Sequence, residues 1–382
     1  MAVNKVEING EVKLDLTQDT VTAAKLAQGE TAHDASGKRI TGTMTVPQLQ
    51  IVVTVSAGAT VTATKGSLSV SGTSVNGMCT LTVPETGTWS VSATLGGQMS
   101  NTKTVSITNS YEVTLSFVSS TLNNNEWSVI KSVSDAGQGA NYWSIGDRKA
   151  VTLNGTVGAL TLSNYTTYAF IIGFNHNASV EGANRIHFQL AKTALSGGTD
   201  VCFCDNQYGP YSGWPSPGAG YFVMNASNTN SGGWKSSQMR TNICGTSLSS
   251  YSGTIIAVIP AALRAVLKSV TKYTDNTGGG STAASAVTAT TDYFFLLSEY
   301  EVFGSISYAN SNESSKQAQY AYYSAGNSKI KYKHNGTRTA ARWWLRSPRA
   351  SISGIFVFVG TGGSVYHDYA SYSIGFAPGF CV

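Results

Sequence analysis

Charge is what this chain lacks most. Only 12% of its 382 residues are Asp, Glu, Lys or Arg, about half the ~25% usual for a soluble domain. Ser, Thr, Asn, Gly and Tyr must therefore cover the surface, which suits extracellular, strand-rich proteins. The 25 basic and 20 acidic residues leave a net charge of +5. They read as spread thinly, without the clustered Lys/Arg stripe that a phosphate backbone needs, so no nucleic-acid partner is expected. No apolar run approaches the roughly 20 residues that cross a bilayer, so no membrane insertion is expected. The opening MAVNKVEING offers no signal-peptide core, so a protein acting outside a cell is expected to leave by another route. Cysteine is also sparse: Cys79, Cys202, Cys204, Cys244 and Cys381 are odd in number, with no C-x-x-C pair and no metal-ligand spacing. Free, partly buried thiols are expected, and Cys202 and Cys204 share one face of a strand-like VCFCD, which is poor disulfide geometry.

Catalytic signatures are missing too. There is no G-x-S-x-G, no H-E-x-x-H and no P-loop. His33, His176, His187, His334 and His367 are scattered. His176 is the best placed, after the apolar Ile171-Ile-Gly-Phe-Asn, yet a satisfied structural histidine is the ordinary reading. Asp147 sits in a turn where an Asx-type bond suffices, and Glu299 and Glu301 point to different sides of a helix. The Asn-x-Ser/Thr triplets at Asn154, Asn164 and Asn335 arise by chance in such a composition. Calcium-dependent sugar binding would show E-P-N and W-N-D runs, and neither occurs. No enzyme activity, metal or cofactor is expected.

What is present is organised in pieces. The 41% hydrophobic content and the length allow two or three domains with real cores. Residues 1–47 hold short alternating runs (Val3, Val6, Ile8; Val12, Leu14, Leu16), a helical stretch near Val21 to Ala27 and a turn-rich segment. Such a piece is too small to bury a core alone and is expected to fold against copies of itself or a larger assembly. Residues 48–110 carry six period-2 runs separated by Gly, Pro and Asn turns, which predicts a small all-β, immunoglobulin-like sandwich with Trp89 at its core. Residues 111–382 mix aromatics, Gly-rich loops and a few helices, which predicts one α+β domain. Helices are expected over about Asn125 to Ser134, from Pro260 with Leu263, Val266, Leu267 and Val270 on one face, and around Glu299 with a cap at Ser298. The low-complexity Asn276 to Ser285 segment is expected to be a mobile surface loop.

The last forty residues are the most informative. Arg342-Trp-Trp-Leu-Arg-Ser-Pro348 predicts a rigid core strand with Arg346 in a buried hydrogen-bonded pair. After it come Arg349, Ile352, Gly354, Ile355, Phe356, Phe358, Thr361, Val365, Tyr366, His367, Asp368, Tyr369, Tyr372 and Ile374, which follow no core periodicity, and then the apolar Gly375-Phe-Ala-Pro-Gly-Phe-Cys-Val382. Composition alone supports equally a paratope-like surface, in which Tyr and Ser give contact area at low entropy cost, and an ordinary hairpin with partly buried aromatics.

Trp127-Ser-Val-Ile130, Tyr142-Trp-Ser-Ile-Gly-Asp147, Ile171 to His176, Gly233 to Arg240, Leu296 to Gly304, Gln319 to Tyr323 and Trp343 to Pro348, in that order, resemble a family common in gut bacteria and their phages. Its members are similar to C-type-lectin-fold proteins, including variable proteins of diversity-generating retroelements in the manner of the phage major tropism determinant. Residues 1–46 are similar to N-terminal segments of tail and baseplate proteins, and residues 51–107 to the Ig-like spacers between such modules.

The resemblance implies a C-terminal α+β C-type-lectin fold and a phage tail receptor-binding protein located at the virion tail tip. Its partners would be a bacterial surface receptor, protein or glycan, and other tail or baseplate proteins, and a homotrimer is expected. In such systems adenine-directed mutagenesis of Asn codons yields residues of the kinds found at about 349–374, the fourteen named above being the expected ligand contacts. Two readings stand beside it: a bacterial cell-surface adhesin of fixed specificity, and an enzyme similar to formylglycine-generating enzymes, which would need a reactive cysteine pair in a cleft. The lectin name describes a fold and does not choose a ligand.

Overall fold

Alternation of small β-branched residues with polar ones decides the first part of the chain. In the computed structural model, which describes residues 2–45, 48–208 and 217–382, the chain divides into two units, Met1–Phe117 and Val118–Val382. The first begins with a hairpin of Lys5–Ile8 and Glu11–Asp15, turned by Asn9 and Gly10, both at positive φ, as a tight two-residue turn requires. Thr31–His33 pairs with Arg39–Thr41. The helical stretch expected near Val21 to Ala27 is only a 3-10 turn at Ala23–Lys25. Among the described residues before 46 Gly42 alone is buried, while Val3, Ile8, Val12, Leu14 and Met44 are exposed. This piece has no core of its own.

The period-2 runs form two sheets. Gly87–Leu95 pairs with Gln98–Met99, Lys103–Ile107 and Thr60–Lys65, and Thr60–Lys65 pairs in turn with Leu68–Thr73. Met78–Thr82 and Tyr111–Thr114 flank Gln50–Thr54. The inward residues of both sheets, among them Ile51, Val53, Val61, Leu81, Val91 and Ile107, share one core with Trp89, whose Nε1 donates to the Glu85 carbonyl at 3.2 Å. The expected boundary at 110/111 moves to 117/118, because Tyr111–Thr114 runs parallel to Gln50–Thr54 and completes this sheet. The boundary expected at 47/48 falls beside residues 46–47, which lie outside the described residues, and both N-terminal pieces belong to one unit.

The second unit mixes strands with short helices. Its main sheet has the order Arg148–Val157, Leu160–Phe174, Ile186–Lys192, Gly379–Cys381, Phe294–Phe295, so the C-terminal strand lies inside the sheet. Smaller sheets are Val201–Cys202, Lys331–Lys333, Gly336–Ala341; Val270–Asp275 with Val287–Asp292; and Trp343–Pro348, Ile355–Val359, Val365–Tyr369. The helix Trp127–Asp135 buries Trp127, Ile130 and Val133 on one face. Glu299–Phe303 starts with a full capping box, Ser298 and Glu301 each bonding the other's backbone.

Two expectations fail here. The helix after Pro260 spans only Ala261–Arg264; Val270 opens a strand, because pairing with Val287–Asp292 outweighs the helical spacing. Segment 276–285 is anchored: Asn230 Oδ1 accepts from the Gly279 N–H, and the Ala283 and Thr282 carbonyls accept from Asn310 and Asn312. All five cysteines are free and buried, with the Cys202 and Cys204 sulfurs 3.9 Å apart.

Trp89→Ala removes the largest side chain of the first core and is expected to cost about 3–5 kcal/mol. Guanidinium unfolding should show the loss in the transition of residues 1–117 and leave that of residues 118–382 in place.

Candidate functional site

Every residue of Trp343–Pro348 is buried, including an arginine, so its polar atoms need partners. Trp343 Nε1 donates to the Lys329 carbonyl and Trp344 Nε1 to the Phe222 carbonyl, each at 3.0 Å. Arg346 donates from Nη1 and Nη2 to Glu301 at 2.5 and 2.9 Å, from Nε to Thr274 Oγ1 at 2.7 Å, and from Nη1 to the Leu296 carbonyl at 2.9 Å. The buried pair expected for Arg346 is thus with Glu301. Burial works to raise the Glu301 carboxyl, but Arg346 and Lys272 overcome it and hold it well below the usual range.

Around this pair lies a sealed polar centre. Lys272 Nζ donates to Glu181 at 2.7 Å, Glu301 at 2.9 Å and the Tyr320 hydroxyl at 2.8 Å. His176 stacks on Tyr320 with ring centres 3.7 Å apart, and Cys381 Sγ lies 3.2 Å from His187 Nδ1. Two chemistries suggested by these neighbours fail on this geometry. His176, Glu181 and Glu301 have the donor set of a metal site, but the Lys272 ammonium already occupies the cation's place between the carboxylates. The Cys381 and His187 contact looks like a nucleophile and its base, yet both are wholly buried. Burial pushes the thiol up to about 12 and the imidazole well down. Glu299 points away from Glu301, as expected, and accepts the N–H groups of Ser307, Tyr308 and Ala309.

The rigid strand delivers the chain to the segment of interest. Trp344 pairs with Phe358 and Pro348 with Phe356; Phe358 in turn pairs with Tyr366 and Ile355 with Tyr369. The turn at 349–354 is tied from three sides. Buried Asn230 donates to the carbonyls of Arg349, Ile352 and Ile355 at 3.3, 2.8 and 2.9 Å, Ser351 N–H bonds Gly280, and Ala350 N–H bonds Tyr308. Asn230 organises the whole turn and carries no signal in the sequence, being one Asn in a polar run.

The fourteen candidate contacts separate into three groups. Tyr366, Tyr369 and Ile352 are 49%, 45% and 37% exposed, and Thr361 is also exposed. Arg349, Ile355, Val365, His367 and Tyr372 are half-buried; Arg349 Nη1 lies 2.7 Å from His367 Nε2, and Tyr372 meets Tyr369 edge-on at 5.7 Å. Gly354, Phe356, Phe358, Asp368 and Ile374 are buried, which corrects their placing among surface contacts. Phe356 and Phe358 fail because Ile355–Val359 is the central strand of its sheet and is covered on both faces. Asp368 pairs with Arg342 at 3.2 Å, Gly354 lies against the Asn228 carbonyl, and Ile374 belongs to the core. The segment does have periodicity, split between a buried strand and a half-exposed edge strand.

One feature escaped the reading of charge as thinly spread. Seven Lys/Arg and no Asp/Glu occur from Lys329 to Arg349, and some of them reach the surface beside this hairpin. Residues 221–382 match a domain of unknown function (DUF6273), a stretch that includes all fourteen candidates. No curated protein and no solved structure matches the chain.

Arg346→Met leaves Glu301 buried with Lys272 as its remaining cation, and should cost about 3–5 kcal/mol in denaturant unfolding of residues 118–382. A pH series tests the centre separately. Burial, helped by Lys272, lowers His176 from 6.5 to about 3, so the unfolded chain binds a proton that the folded one refuses. Its contribution is fully present above pH 6.5 and is lost as pH falls towards 3, a difference of roughly 4–5 kcal/mol. His176→Phe should flatten that acid limb.

Proposed function

We propose that the chain is a phage tail receptor-binding protein that presents a diversified ligand surface on a C-type-lectin fold. Residues 1–47 attach it to the tail and to its own copies, the immunoglobulin-like sandwich spaces the head, and the head meets a bacterial surface receptor. One observation carries the reading. Tyr366, Tyr369, Ile352 and Thr361 stand exposed on a hairpin whose inner strand, Ile355–Val359, is buried from Phe356 to Val359 and pairs in turn with the fully buried Trp343–Pro348. A surface of this kind tolerates exchange of its outer side chains without loss of the fold, because the buried strands beneath it carry the packing. The two exposed tyrosines, on opposite faces of the edge strand Val365–Tyr369, each supply amphipathic contact area with few rotors, as in binding loops.

The exposed apolar residues of the coreless N-terminal piece favour a homotrimer. Avidity in such an assembly strengthens weak single-site attachment by roughly 10²–10⁴. The family resemblance supports the lectin-like fold, and the mixed α and β content of residues 118–382 is compatible with it. The formylglycine-type alternative finds no support in Cys202 and Cys204, which are buried, with the facing Cys202 sulfur and then burial pushing the Cys204 thiol far above its ordinary value.

Fluorescently labelled full-length protein should bind a subset of bacterial strains in a panel. The Tyr366→Ala, Tyr369→Ala double variant should bind at least tenfold more weakly at unchanged thermal midpoint, whereas Phe356→Ala should lower the midpoint. Undiminished binding by the double variant, or binding to no strain, overturns the reading. Sequencing the gene's neighbourhood for a near-identical copy of the last ~110 bases, differing at adenines beside a reverse transcriptase, decides between a diversified surface and an adhesin of fixed specificity.

A further inference from the structure

Beside the exposed hairpin lies a groove of about 600 Å³, within the roughly 300–1,000 Å³ of small-ligand sites. Tyr208, Lys333, Thr339 and Arg342 form one bank; Thr361 and Tyr366 belong to the other. The first bank comes from residues outside the segment 349–374, and the second from the hairpin within it.

Both aromatic walls are held in place. The Tyr208 hydroxyl accepts the Arg342 backbone N–H at 3.0 Å. The Tyr366 ring stacks on Phe358, with centres 6.0 Å apart, and leans over Gly360, where a Cβ would come within 2.7 Å of it. Any residue but glycine at 360 would push this wall outward.

The charge in the groove has one sign. None of its described lining residues is acidic. Arg342 is matched by Asp368, but Lys333, with Nζ 4.4 Å above the Tyr208 ring, has no carboxylate partner among the described residues. Asp205, close to Tyr208 in sequence, is buried and engaged by Ser373 and the Phe222 N–H. Hydroxyls and glycine backbone supply the remaining polar groups. A ligand that fits needs an anion for Lys333, hydroxyls for the Thr and Ser side chains and C–H faces for the two rings.

We propose that this groove binds an acidic saccharide, with its carboxylate or phosphate at Lys333 and a sugar ring between Tyr208 and Tyr366. The assignment rests on the receptor-binding reading and divides the labour in it. The Lys333 bank recognises the anion common to a class of surface glycans, and the hairpin bank, through Thr361 and Tyr366, selects among them. Lys333 meets the anion as a half-exposed point charge, so the contact weakens with salt.

The test uses the full-length chain on an array of bacterial saccharides in three sets: neutral, uronate-containing and phosphodiester-containing. Binding confined to either acidic set is expected, and which set responds identifies the anion. Lys333→Gln should lose at least tenfold in apparent affinity. Arg338→Gln makes the same charge change on the alternate face of the strand that carries Thr339 and should retain binding. Equal binding to neutral saccharides, or equal losses in the two variants, overturns the assignment. Binding to cells but to no saccharide overturns the groove and leaves the receptor-binding reading in place. Saccharide binding without binding to any strain supports the groove and overturns that reading.

Discussion

The Arg346 and Glu301 pair is the constraint on which the candidate surface depends. A guanidinium with no solvent exposure can exist only where every donor direction meets an acceptor, and Arg346 finds them on three segments at once: Val270–Asp275, the Leu296 carbonyl and Glu301 of the short helix. Desolvating two full charges is expensive, so such a pair contributes little net stability compared with apolar packing. Its effect is on geometry. Moving Trp343–Pro348 by one residue would turn Arg346 to the opposite face of its strand and leave Lys272 as the one cation facing both Glu181 and Glu301. That register decides where Pro348 releases the chain, and hence where residues 349–354 meet Asn230.

The same centre explains why reactive residue types here do not amount to reactive sites. Two histidines, a thiol, two carboxylates and a lysine converge, a set that would suit metal or nucleophilic chemistry if a substrate could reach it. Burial takes the imidazoles and the thiol away from their useful protonation states, and Lys272 stands as an internal counter-ion. The polar centre holds elements together, and the solvent-exposed candidate side chains lie outside it, on the hairpin.

Much of this was legible in the residues themselves. The period-2 runs of the first unit, Trp89 in its core, the cap at Ser298, the helix near Trp127 and the buried pairing of Arg346 follow from local pattern, since each depends on neighbours within a few positions or on a residue type that cannot be buried alone. The failures have a common cause. Val270 looked helical because its spacing fitted, and only pairing with a strand twenty residues on overruled it. Phe356 and Phe358 looked like contacts because the segment around them showed no core periodicity; their place in the middle of a sheet is a non-local fact. Asn230 and Lys333 gave no sign of their roles, because each role is defined by residues over a hundred positions away or by the absence of a nearby acid in space.

By itself, then, the sequence determined that the chain is multi-domain and rich in strands, that its charge is low, and that a stiff Trp-rich strand precedes a polar and aromatic segment. These are properties of composition and short-range periodicity, which the backbone's own repeats of two and 3.6 residues translate into structure. Only the tertiary structure decided which four of the fourteen candidate side chains are open to solvent, that the strand's arginine reaches Glu301, and that Tyr208 and Lys333 face Tyr366 across a groove. Those depend on how far-separated segments are brought together, and burial is set by what covers a residue rather than by what it is.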